Sequence, residues 1–465
     1  MPPRNRRRRT NRLADDQKES APHLDITHGP LTLSLSGFKA IGDRVSLNVA
    51  PLTILSGSNS AGKSSFMQAF LLLKQTIDSS FDPGSILLHG PNVKFTDANQ
   101  TLSRERSRAT QGTSFTVGMA SGDFDRTISY ATSADGFVIS RDVASGPGRS
   151  MDLHPGMPAT KVAEYEPYLN ALGRAFLNDG LGSEYEYEVD VLRSACFLDL
   201  SLTLISREGK PVRVPLKTPV VDNDTEQWSY LLRGIIHVPG LRGNPERQYP
   251  RSAVGSTYLG TFETYVASII HEWSNRAPEL ITELAHGLEA LGLTWKIKAQ
   301  KINDASIELL VGRTPRAQRG GAQDLVSVAD VGFGVSQALP VLVSLLAART
   351  GQIVYLEQPE IHLHPRAQVA LAAPLVAAAN RGVRVVIETH SSLLIRAIQT
   401  EIALGNLPAS AVSMNWFSRD VATGFSRVDV AELDEAGRFG DWPVDFDEIS
   451  QDADIDYLKA IGARR

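Results

Sequence analysis

The stretch from residue 57 to residue 64 has the composition and spacing of a phosphate-binding loop. It fits the pattern G-x-x-x-x-G-K-[ST] and reads Gly57-Ser58-Asn59-Ser60-Ala61-Gly62-Lys63-Ser64. Glycines let the backbone approach phosphate oxygens without a Cβ clash, and the N–H groups of the loop and of the next helix face the anion. Lys63 would place a positive charge near the β- and γ-phosphates, and Ser64 would offer its hydroxyl to Mg²⁺. The loop therefore predicts ATP and Mg²⁺ as cofactors, with Ser65 as a further contact.

A second element of such a site is a buried strand that ends in a carboxylate near the phosphate loop. The apolar segment 353–356 leads directly into Glu357. An apolar strand that ends in glutamate is common by itself, but together with a phosphate loop it indicates a Walker B motif. We therefore predict that Glu357 binds Mg²⁺, directly or through a water molecule.

The segment 330–337 contains two glycines and a serine and precedes a long apolar stretch. Gly334 and Ser336 lie where a helix N-terminus is expected, which makes this segment a second candidate anion-binding loop. One chain rarely needs two such loops for one nucleotide. The pair therefore predicts a shared site, in which the Ser336 loop of one subunit closes over ATP bound by another. The alternative is an ordinary loop in which Ser336 caps its own helix.

A polar cluster follows the next apolar segment and includes Glu388, Thr389 and His390. Polar residues at the carboxyl end of a strand face the crevice in which α/β folds bind ligands. His390 is therefore a candidate for sensing the γ-phosphate or orienting a water molecule, and a structural histidine is the alternative.

The segments that must position these residues alternate between strand and helix patterns. Near the phosphate loop, we predict two strands within 31–49, a strand over 52–55 and a helix over 64–76. From residue 330 onward, helices and strands alternate over 337–348, 352–356, 366–380, 383–387 and 392–402. This alternation predicts a parallel sheet covered by helices.

The middle of the chain, from about 85 to 325, is less regular. Strands are expected over 114–119, 127–132, 137–141, 198–204, 212–216, 295–299 and 306–311. Helices are expected over 168–177, 262–273 and 280–291.

Together these motifs resemble the ABC-ATPase-like branch of the AAA family. The similar proteins include the overcoming-lysogenization-defect ATPases and, more remotely, the heads of SMC and recombination-repair ATPases. The matching stretches are 52–75, 330–340, 354–365 and 385–391. The end of the chain looks like a C-terminal domain of unknown function that some of these ATPases carry, whereas no Toprim-like nuclease pattern is recognised.

Two arginines belong to a further segment, 238–251, that resembles a family segment of unclear role. Arg242 and Arg247 are candidates for contacts with phosphate. Ion pairs at the protein surface are the alternative for both.

The sequence departs from the family pattern at the residues that hydrolyse ATP. In ABC ATPases the Mg²⁺-binding acid is usually Asp and the next residue is the catalytic Glu, whereas this sequence has Glu357 and Gln358. Gln358 can orient a water molecule but cannot accept its proton at neutral pH. Either Glu360 serves as the base or hydrolysis is slow, which suits a switch that bound ATP holds closed. The candidate catalytic residues are therefore Glu357, Gln358, Glu360 and His390.

The composition indicates a folded chain without a membrane span. Hydrophobic residues make up 42% and charged residues 21%, and the net charge is −5, so neither general disorder nor polyanion binding by the whole fold is expected. The exception is the arginine-rich segment 4–12, interpreted as a solvated tail, with a nucleic-acid-binding arm as the alternative. The single cysteine, Cys196, lies in an apolar run, which fits a buried residue in a reducing cytoplasm. No signal peptide is recognised, and the apolar runs are too short to cross a bilayer.

The predicted fold class is α/β: a P-loop NTPase with an ABC-ATPase-like head, a mixed sheet and an inserted α+β lobe. The predicted parts are a disordered basic tail over 1–27, the N-terminal part of the head over 28–100, an inserted strand-rich lobe over 101–235, a helical and hairpin segment over 236–325, the C-terminal part of the head over 326–410 and a C-terminal extension over 411–465.

These features predict an ABC-type ATPase that works as a nucleotide-gated dimeric switch. Its predicted partners are ATP, a second copy in a homodimer or higher oligomer, and a separate effector protein, without a membrane. The resemblance places such a switch in phage defence or DNA repair. The alternative is a DNA-binding ATPase that uses the arginine-rich tail. A small-molecule kinase is disfavoured, because no acceptor site is recognised.

Overall fold

A computed structural model of the chain describes residues 26–105, 112–168, 185–206, 224–314, 316 and 324–439. All but the last two residues of the predicted tail lie outside these ranges, as do the predicted strand over 212–216, most of the predicted helix over 168–177 and residues 440–465. Within the described ranges, no helix is long and apolar enough to cross a membrane.

The phosphate loop and the Walker B segment belong to one six-stranded sheet. Its strands are β3 Leu52–Gly57, β10 Ile236–Val238, β15 Ile353–Glu357, β16 Arg384–Glu388, β17 Val412–Arg419 and β18 Ser426–Ala431. They lie in the order β10-β15-β16-β3-β17-β18. All neighbouring pairs are parallel except β17 and β18. The predicted mixed, largely parallel sheet is confirmed, and it continues through 412–431, beyond the boundary predicted at residue 410.

The position of β16 between β15 and β3 determines which side chains meet at the carboxyl end of the sheet. Glu388, the last residue of β16, is in register with Glu357 on one side and with Leu55 on the other. Between their end residues, β15 and β16 are apolar and buried, as expected for strands that are covered on both faces.

Two hydrophobic clusters cover these two faces. On β15, Tyr355 belongs to the first cluster, which includes helix α1, Lys63–Ile77, whereas Leu356 belongs to the second. The residues of β16 alternate between the two clusters in the same way. Because side chains of a strand alternate with a period of two, Glu357 and Glu388 both lie on the α1 face.

A second six-stranded sheet is antiparallel and contains much of the predicted lobe. Its strands are β1 Thr32–Ser36, β2 Val45–Asn48, β4 Ser114–Ser121, β5 Phe124–Ser133, β6 Gly136–Gly146 and β7 Arg149–Leu153. The order is β2-β1-β4-β5-β6-β7, so the lobe extends a sheet that starts before the phosphate loop. A separate hairpin is formed by β8 Tyr185–Ser194 and β9 Phe197–Ser206.

The third sheet and the remaining helices complete the structure. The sheet contains β11 Tyr249–Pro250, β12 Ile297–Lys301, β13 Ser306–Gly312 and β14 Leu325–Ser327. The other helices are α2 Ala159–Val162, α3 Asp224–Arg233, α4 Val266–Arg276, α5 Pro278–Ala290, α6 Phe333–Ala347, α7 Pro365–Ala370, α8 Ala372–Asn380 and α9 Ser392–Ala403.

One long helix of the sequence analysis is divided in the structure. The helix predicted over 366–380 forms the two helices α7 and α8. Pro374 has no N–H to donate to the carbonyl oxygen of Ala370, so a continuous helix would lose a hydrogen bond there. The chain instead begins α8 at residue 372, which puts Pro374 in its first turn, where a missing N–H costs little.

Candidate nucleotide-binding site

Two glycines of the phosphate loop occupy positions that a side chain would disrupt. Gly57 ends β3 with a φ of 133°, and a Cβ there would lie 2.0 Å from the carbonyl oxygen of Phe417. Gly62 has a φ of 105°, and its Cβ would lie 2.3 Å from the Oγ of Ser426. Helix α1 follows immediately and has no acidic residue in its first turn. The loop and the helix N-terminus therefore present backbone N–H groups and a positive dipole to an anion.

Lys63 is held by the carbonyl oxygens of the loop itself. Its Nζ donates to the oxygens of Gly57 at 3.1 Å and Ser58 at 2.8 Å, and only 3% of the residue is exposed. Burial lowers the pKa of Lys63, and the negative charge of Glu388 partly offsets this effect. Phosphate oxygens would give the ammonium group charge-assisted hydrogen bonds, which are stronger than those to neutral carbonyls.

A cavity of about 1120 Å³ surrounds the loop, slightly larger than the range of about 300–1,000 Å³ that is typical of small-molecule sites. Nine predicted site residues line it: Asn59, Ser60, Ala61, Gly62, Lys63, Ser64, Ser65, Gln358 and His390. Six others do not, namely Gly57, Ser58, Gly334, Ser336, Glu357 and Glu360. The cavity also includes Lys39, Arg104 and Arg419, which the sequence analysis did not single out. These three cations make the cavity suitable for a polyphosphate.

Glu357 bonds with protein groups beside the cavity. Its Oε1 accepts from Nε2 of the buried His237 at 3.1 Å, and its Oε2 accepts from the N–H of Gly240 at 3.1 Å. Asn92 lies 3.2 Å from the other ring nitrogen of His237, which fits a histidine that donates through Nε2. Burial raises the pKa of Glu357, but the hydrogen bonds from His237 and Gly240 outweigh this effect, and the net pKa is lowered.

Gln358 lines the cavity in an uncommon backbone conformation. Its φ is 43°, in the left-handed region, and its N–H donates to the carbonyl oxygen of Glu388 at 2.7 Å. Left-handed residues other than glycine cost free energy, about 1–3 kcal/mol, and occur where the surrounding structure holds them. Gln358 occupies the position of the usual catalytic Glu, and this strained backbone conformation sets the direction of its side chain.

Glu388 contacts the phosphate loop directly. The hydroxyl of Ser64 donates to its Oε1 at 2.9 Å, and the hydroxyl of Tyr355 donates to its Oε2 at 3.0 Å. Burial raises the pKa of Glu388, while the Ser64 hydrogen bond lowers it and the charge of Glu357 raises it further. The sequence analysis placed Glu388 in a polar cluster but gave it no role. The signal it missed is an acid at the end of the strand that pairs with β3.

Glu360 supports the residues that precede α9. Its Oε1 accepts from the Thr389 hydroxyl at 2.6 Å and from the His390 N–H at 3.1 Å, and 7% of the residue is exposed. The His390 side chain reaches the cavity. Burial and the charge of Lys63 lower the pKa of His390, so its ring is neutral at pH 7. This geometry favours Glu360 as a positioning residue for His390.

Replacing Glu360 should separate positioning from proton transfer. We expect Glu360→Gln to keep ATP turnover within about twofold of wild type, because the amide oxygen can accept the same two hydrogen bonds. Glu360→Ala should lower turnover by about tenfold, because the His390 loop loses both bonds. Steady-state phosphate release at saturating ATP measures this. An equal loss in both variants would show that the carboxylate itself takes part in the reaction, as the sequence analysis proposed.

Gly334 and Ser336 lie in the first turn of α6, one turn earlier than the predicted helix start. The helix begins at Phe333 after the N-cap Gly332, and the Ser336 hydroxyl donates to the carbonyl oxygen of Phe333 at 2.9 Å. Ser336 therefore does not cap its helix. It is partly exposed at the helix N-terminus, outside the cavity of its own chain.

Arg242 and Arg247 both bond with protein groups. Arg242 donates to the carbonyl oxygens of Glu357 at 3.0 Å and Gln337 at 3.3 Å, and burial lowers its pKa to about 10. It therefore connects the end of β15 to the first turns of α6. Arg247, 68% exposed, forms a two-point ion pair with Asp330 at 2.6 and 3.0 Å. Surface ion pairing, the alternative in the sequence analysis, thus describes Arg247.

The described residues contain no group of three or more His, Cys, Asp or Glu side chains that could hold a metal ion by themselves. Mg²⁺ usually keeps several water molecules and takes one or two protein oxygens together with substrate phosphates. Ser64, with a carboxylate from the end of β15 or β16, supplies oxygens of this kind. The residues present therefore fit a magnesium ion that arrives with a nucleotide.

The sheet order and the loops define the class of protein. Strand β16 lies between β3, which leads into the phosphate loop, and β15, which ends in Glu357. The first turn of α6, which contains Gly334 and Ser336, does not line the cavity. This arrangement is a P-loop NTPase fold with an ABC-ATPase-like head, as predicted. The chain belongs to the family described as "AAA domain, putative AbiEii toxin, Type IV TA system", which it matches over residues 146–396, just over half of its length. The match includes β15, β16 and α6 but not the phosphate loop.

Solved Smc head domains resemble the chain at low identity. The Smc head domain from Thermotoga maritima is 10% identical with a TM-score of 0.36, over 87% of this chain and 100% of that chain. A Smc head domain with a coiled coil and joint from Pyrococcus yayanosii is 12% identical with a TM-score of 0.41, over 88% and 98%. A Smc head bound to the C-winged helix domain of ScpA is 12% identical with a TM-score of 0.41, over 88% and 99%. No curated protein sequence matches the chain.

Proposed function

We propose that the protein is a slow ATPase that acts as a nucleotide-gated dimeric switch. One observation carries the proposal: the cavity of one chain contains the phosphate loop, whereas Gly334 and Ser336 do not line it. Both elements are of a kind that binds anions. A second copy would bring its Ser336 loop to the nucleotide held by the first, and two-fold pairing would build two such sites.

Hydrolysis at this site would depend on positioning and on charge stabilisation. Lys63 and the N-terminus of α1 would bind the phosphates, and the side-chain oxygen of Gln358 would orient the attacking water. The neutral His390 would offer one further hydrogen bond. Mg²⁺, when bound with the nucleotide, supplies positive charge that offsets the charge of the phosphates. Because Gln358 cannot accept a proton, we propose slow turnover.

Slow turnover suits a switch, since bound ATP would keep two copies together for longer. We propose that the paired state recruits or restrains a separate effector protein. The family resemblance is the reason for proposing that this switch works in phage defence or DNA repair. The matched family is described as a putative toxin, and control of an effector is consistent with that description. A cytoplasmic location is consistent with a single cysteine, Cys196, that is fully buried. Burial raises the pKa of its thiol to about 12.

Solution mass and ATP turnover, measured together on the full-length protein, test this proposal. We expect one chain per particle without nucleotide, two chains in Mg-ATP, and return to one chain as phosphate is released. A protein that hydrolyses ATP at an unchanging mass would not be a nucleotide-gated dimer. Transfer of phosphate to a molecule other than water would indicate a kinase instead.

A DNA-binding ATPase is the second candidate, because the segment 4–12 is rich in arginine. This segment lies outside the described residues. DNA affinity that falls steeply with salt and disappears on deletion of residues 1–12 would favour this function. DNA affinity unaffected by the deletion would reject the role of the tail.

A further inference from the structure

We propose that Glu388 is the carboxylate that holds Mg²⁺ beside Ser64, in place of the predicted Glu357. The proposal rests on the proposed function, because it concerns the metal ion that accompanies ATP in the same cavity. It assigns a role to a residue that no motif of the sequence marked.

The distance between two side-chain oxygens matches the spacing of adjacent metal ligands. The Oγ of Ser64 and the Oε1 of Glu388 lie 2.9 Å apart. Neighbouring ligands of an octahedral Mg²⁺ with bonds of about 2.1 Å at right angles are roughly 3 Å apart. The two oxygens therefore already have the spacing that two adjacent metal ligands need, and one of them belongs to the serine that phosphate loops use for Mg²⁺.

The environment of Glu357 also favours Glu388 as the metal ligand. Both of its oxygens accept hydrogen bonds, one from His237 and one from the backbone of Gly240. Glu357 also does not line the cavity, whereas Glu388 does. A metal ion at Glu357 would have to displace two buried hydrogen-bond donors, the His237 ring and the Gly240 N–H. Glu357 is therefore better placed to orient its neighbours than to bind the metal ion.

The residues around Glu388 hold its carboxylate in a fixed position beside the phosphate loop. Strand β16 pairs directly with β3, so Glu388 is in register with Leu55, two residues before Gly57. The Tyr355 hydroxyl bonds its second oxygen at 3.0 Å and thereby fixes the plane of the carboxylate. Partners of this kind orient ligands at metal sites. Within the described part of the chain, the hydrogen bonds to the carboxylate of Glu388 come from two hydroxyl groups, and a cation could bind beside them.

The simplest competing role for Glu388 is structural, as an acceptor for Ser64 and Tyr355. Glutamine would serve that role, because its amide oxygen also accepts hydrogen bonds. A neutral amide is a poor substitute for a carboxylate toward Mg²⁺, which prefers hard anionic oxygens. Glu388→Gln therefore distinguishes the metal role from the structural one, and Glu357→Gln is the matched control on the neighbouring strand.

The test measures metal binding directly on the full-length protein. Mn²⁺, as a spectroscopic substitute for Mg²⁺, is titrated by electron paramagnetic resonance into protein saturated with a non-hydrolysable ATP analogue. We expect Glu388→Gln to weaken Mn²⁺ binding by about tenfold or more, and Glu357→Gln to weaken it by less than about threefold. Calorimetry of the analogue in EDTA should show the same metal-free affinity for wild type and Glu388→Gln. Thermal unfolding of both variants confirms that they are folded.

Wild-type Mn²⁺ affinity in Glu388→Gln would overturn the proposal, and so would an equal loss in both variants, since Glu388 would then have no role of its own. Absence of analogue binding by the wild-type protein, with or without metal, would instead contradict the proposed function. The two failures are therefore distinguishable in one series of titrations.

Discussion

Replacing Lys63 with alanine should weaken ATP binding about a hundredfold, and lower turnover with it, while the protein stays folded. The ammonium group is nearly buried among loop carbonyls, 2.8 and 3.1 Å from its two acceptors. Bound phosphates would take over these contacts as charge-assisted hydrogen bonds. Loss of about 3 kcal/mol from such bonds corresponds to a roughly hundredfold rise in Kd. Isothermal titration calorimetry with Mg-ATP measures this directly.

Lys39→Ala is the matched control for this variant. Lys39 lines the same cavity, but its Nζ donates to Gln68 at 2.8 Å and lies 5.2 Å from the centre of the Phe95 ring. We therefore expect a much smaller effect on Kd than for Lys63→Ala. A Lys63→Ala protein that binds ATP as tightly as wild type, at unchanged thermal stability, would show that the loop is not the phosphate site.

Replacing Ser336 with arginine should abolish ATP-dependent dimerisation without weakening the binding of ATP to one chain. Ser336 is partly exposed in the first turn of α6 and does not line the cavity of its own chain. An arginine there would put a long, charged side chain where a second subunit's nucleotide is expected. Light scattering should show two chains per particle for wild type in Mg-ATP and one chain for the variant.

Leu404→Arg controls for the added charge and bulk, because Leu404 is 68% exposed at the end of α9 and does not line the cavity. It should dimerise with Mg-ATP as the wild type does. A Ser336→Arg variant that also dimerises normally would reject the shared site. Weakened ATP binding in monomeric Ser336→Arg would place Ser336 in the site of its own chain.

The phosphate loop and the alternation of elements could be predicted from the sequence because both depend on short-range patterns. The local backbone geometry favours glycine at 57 and at 62, because both residues have a positive φ in the structure. The periodicity of apolar residues distinguishes strands from helices. The alternation of strands and helices along the chain then predicts the parallel sheet. The break within 365–380 was missed, because one proline in a long apolar pattern competes with a strong helical signal.

The roles of the acidic residues could not be predicted in the same way. Which carboxylate approaches Ser64 depends on the strand order β15-β16-β3, and pairing between distant strands leaves no local mark in the sequence. The Walker B pattern led to Glu357, while the structure puts Glu388 at 2.9 Å from Ser64. Arg242 is a similar case, because its carbonyl partners come from segments about one hundred residues away.

The inserted lobe shows a further limit of the sequence. Strands β4, β5, β6 and β9 were predicted individually, whereas β7 and β8 were not, and neither was the pairing of the lobe with β1 and β2 in one sheet. Residues 412–431 were likewise expected in a separate extension, yet they form two strands of the central sheet. In both cases the missing information is the choice of partner strand, which hydrophobic periodicity does not encode.

The most direct test of the shared nucleotide site is cross-linking between two differently labelled copies of the chain. Ser60→Cys marks the phosphate loop and Phe333→Cys marks the first turn of α6, where Phe333 is 53% exposed. The native Cys196 will not react, because it is fully buried and burial raises its pKa to about 12. The two proteins are mixed with a flexible bis-maleimide, with and without Mg-ATP.

We expect a covalent dimer to form in the mixture with Mg-ATP and to be weak or absent without nucleotide. The same dimer should disappear when Lys63→Ala is added to the Ser60→Cys chain. Ser60→Cys mixed only with itself is the control for random collision. The absence of a nucleotide-dependent product between the two marked positions, in proteins that bind ATP, would contradict the account.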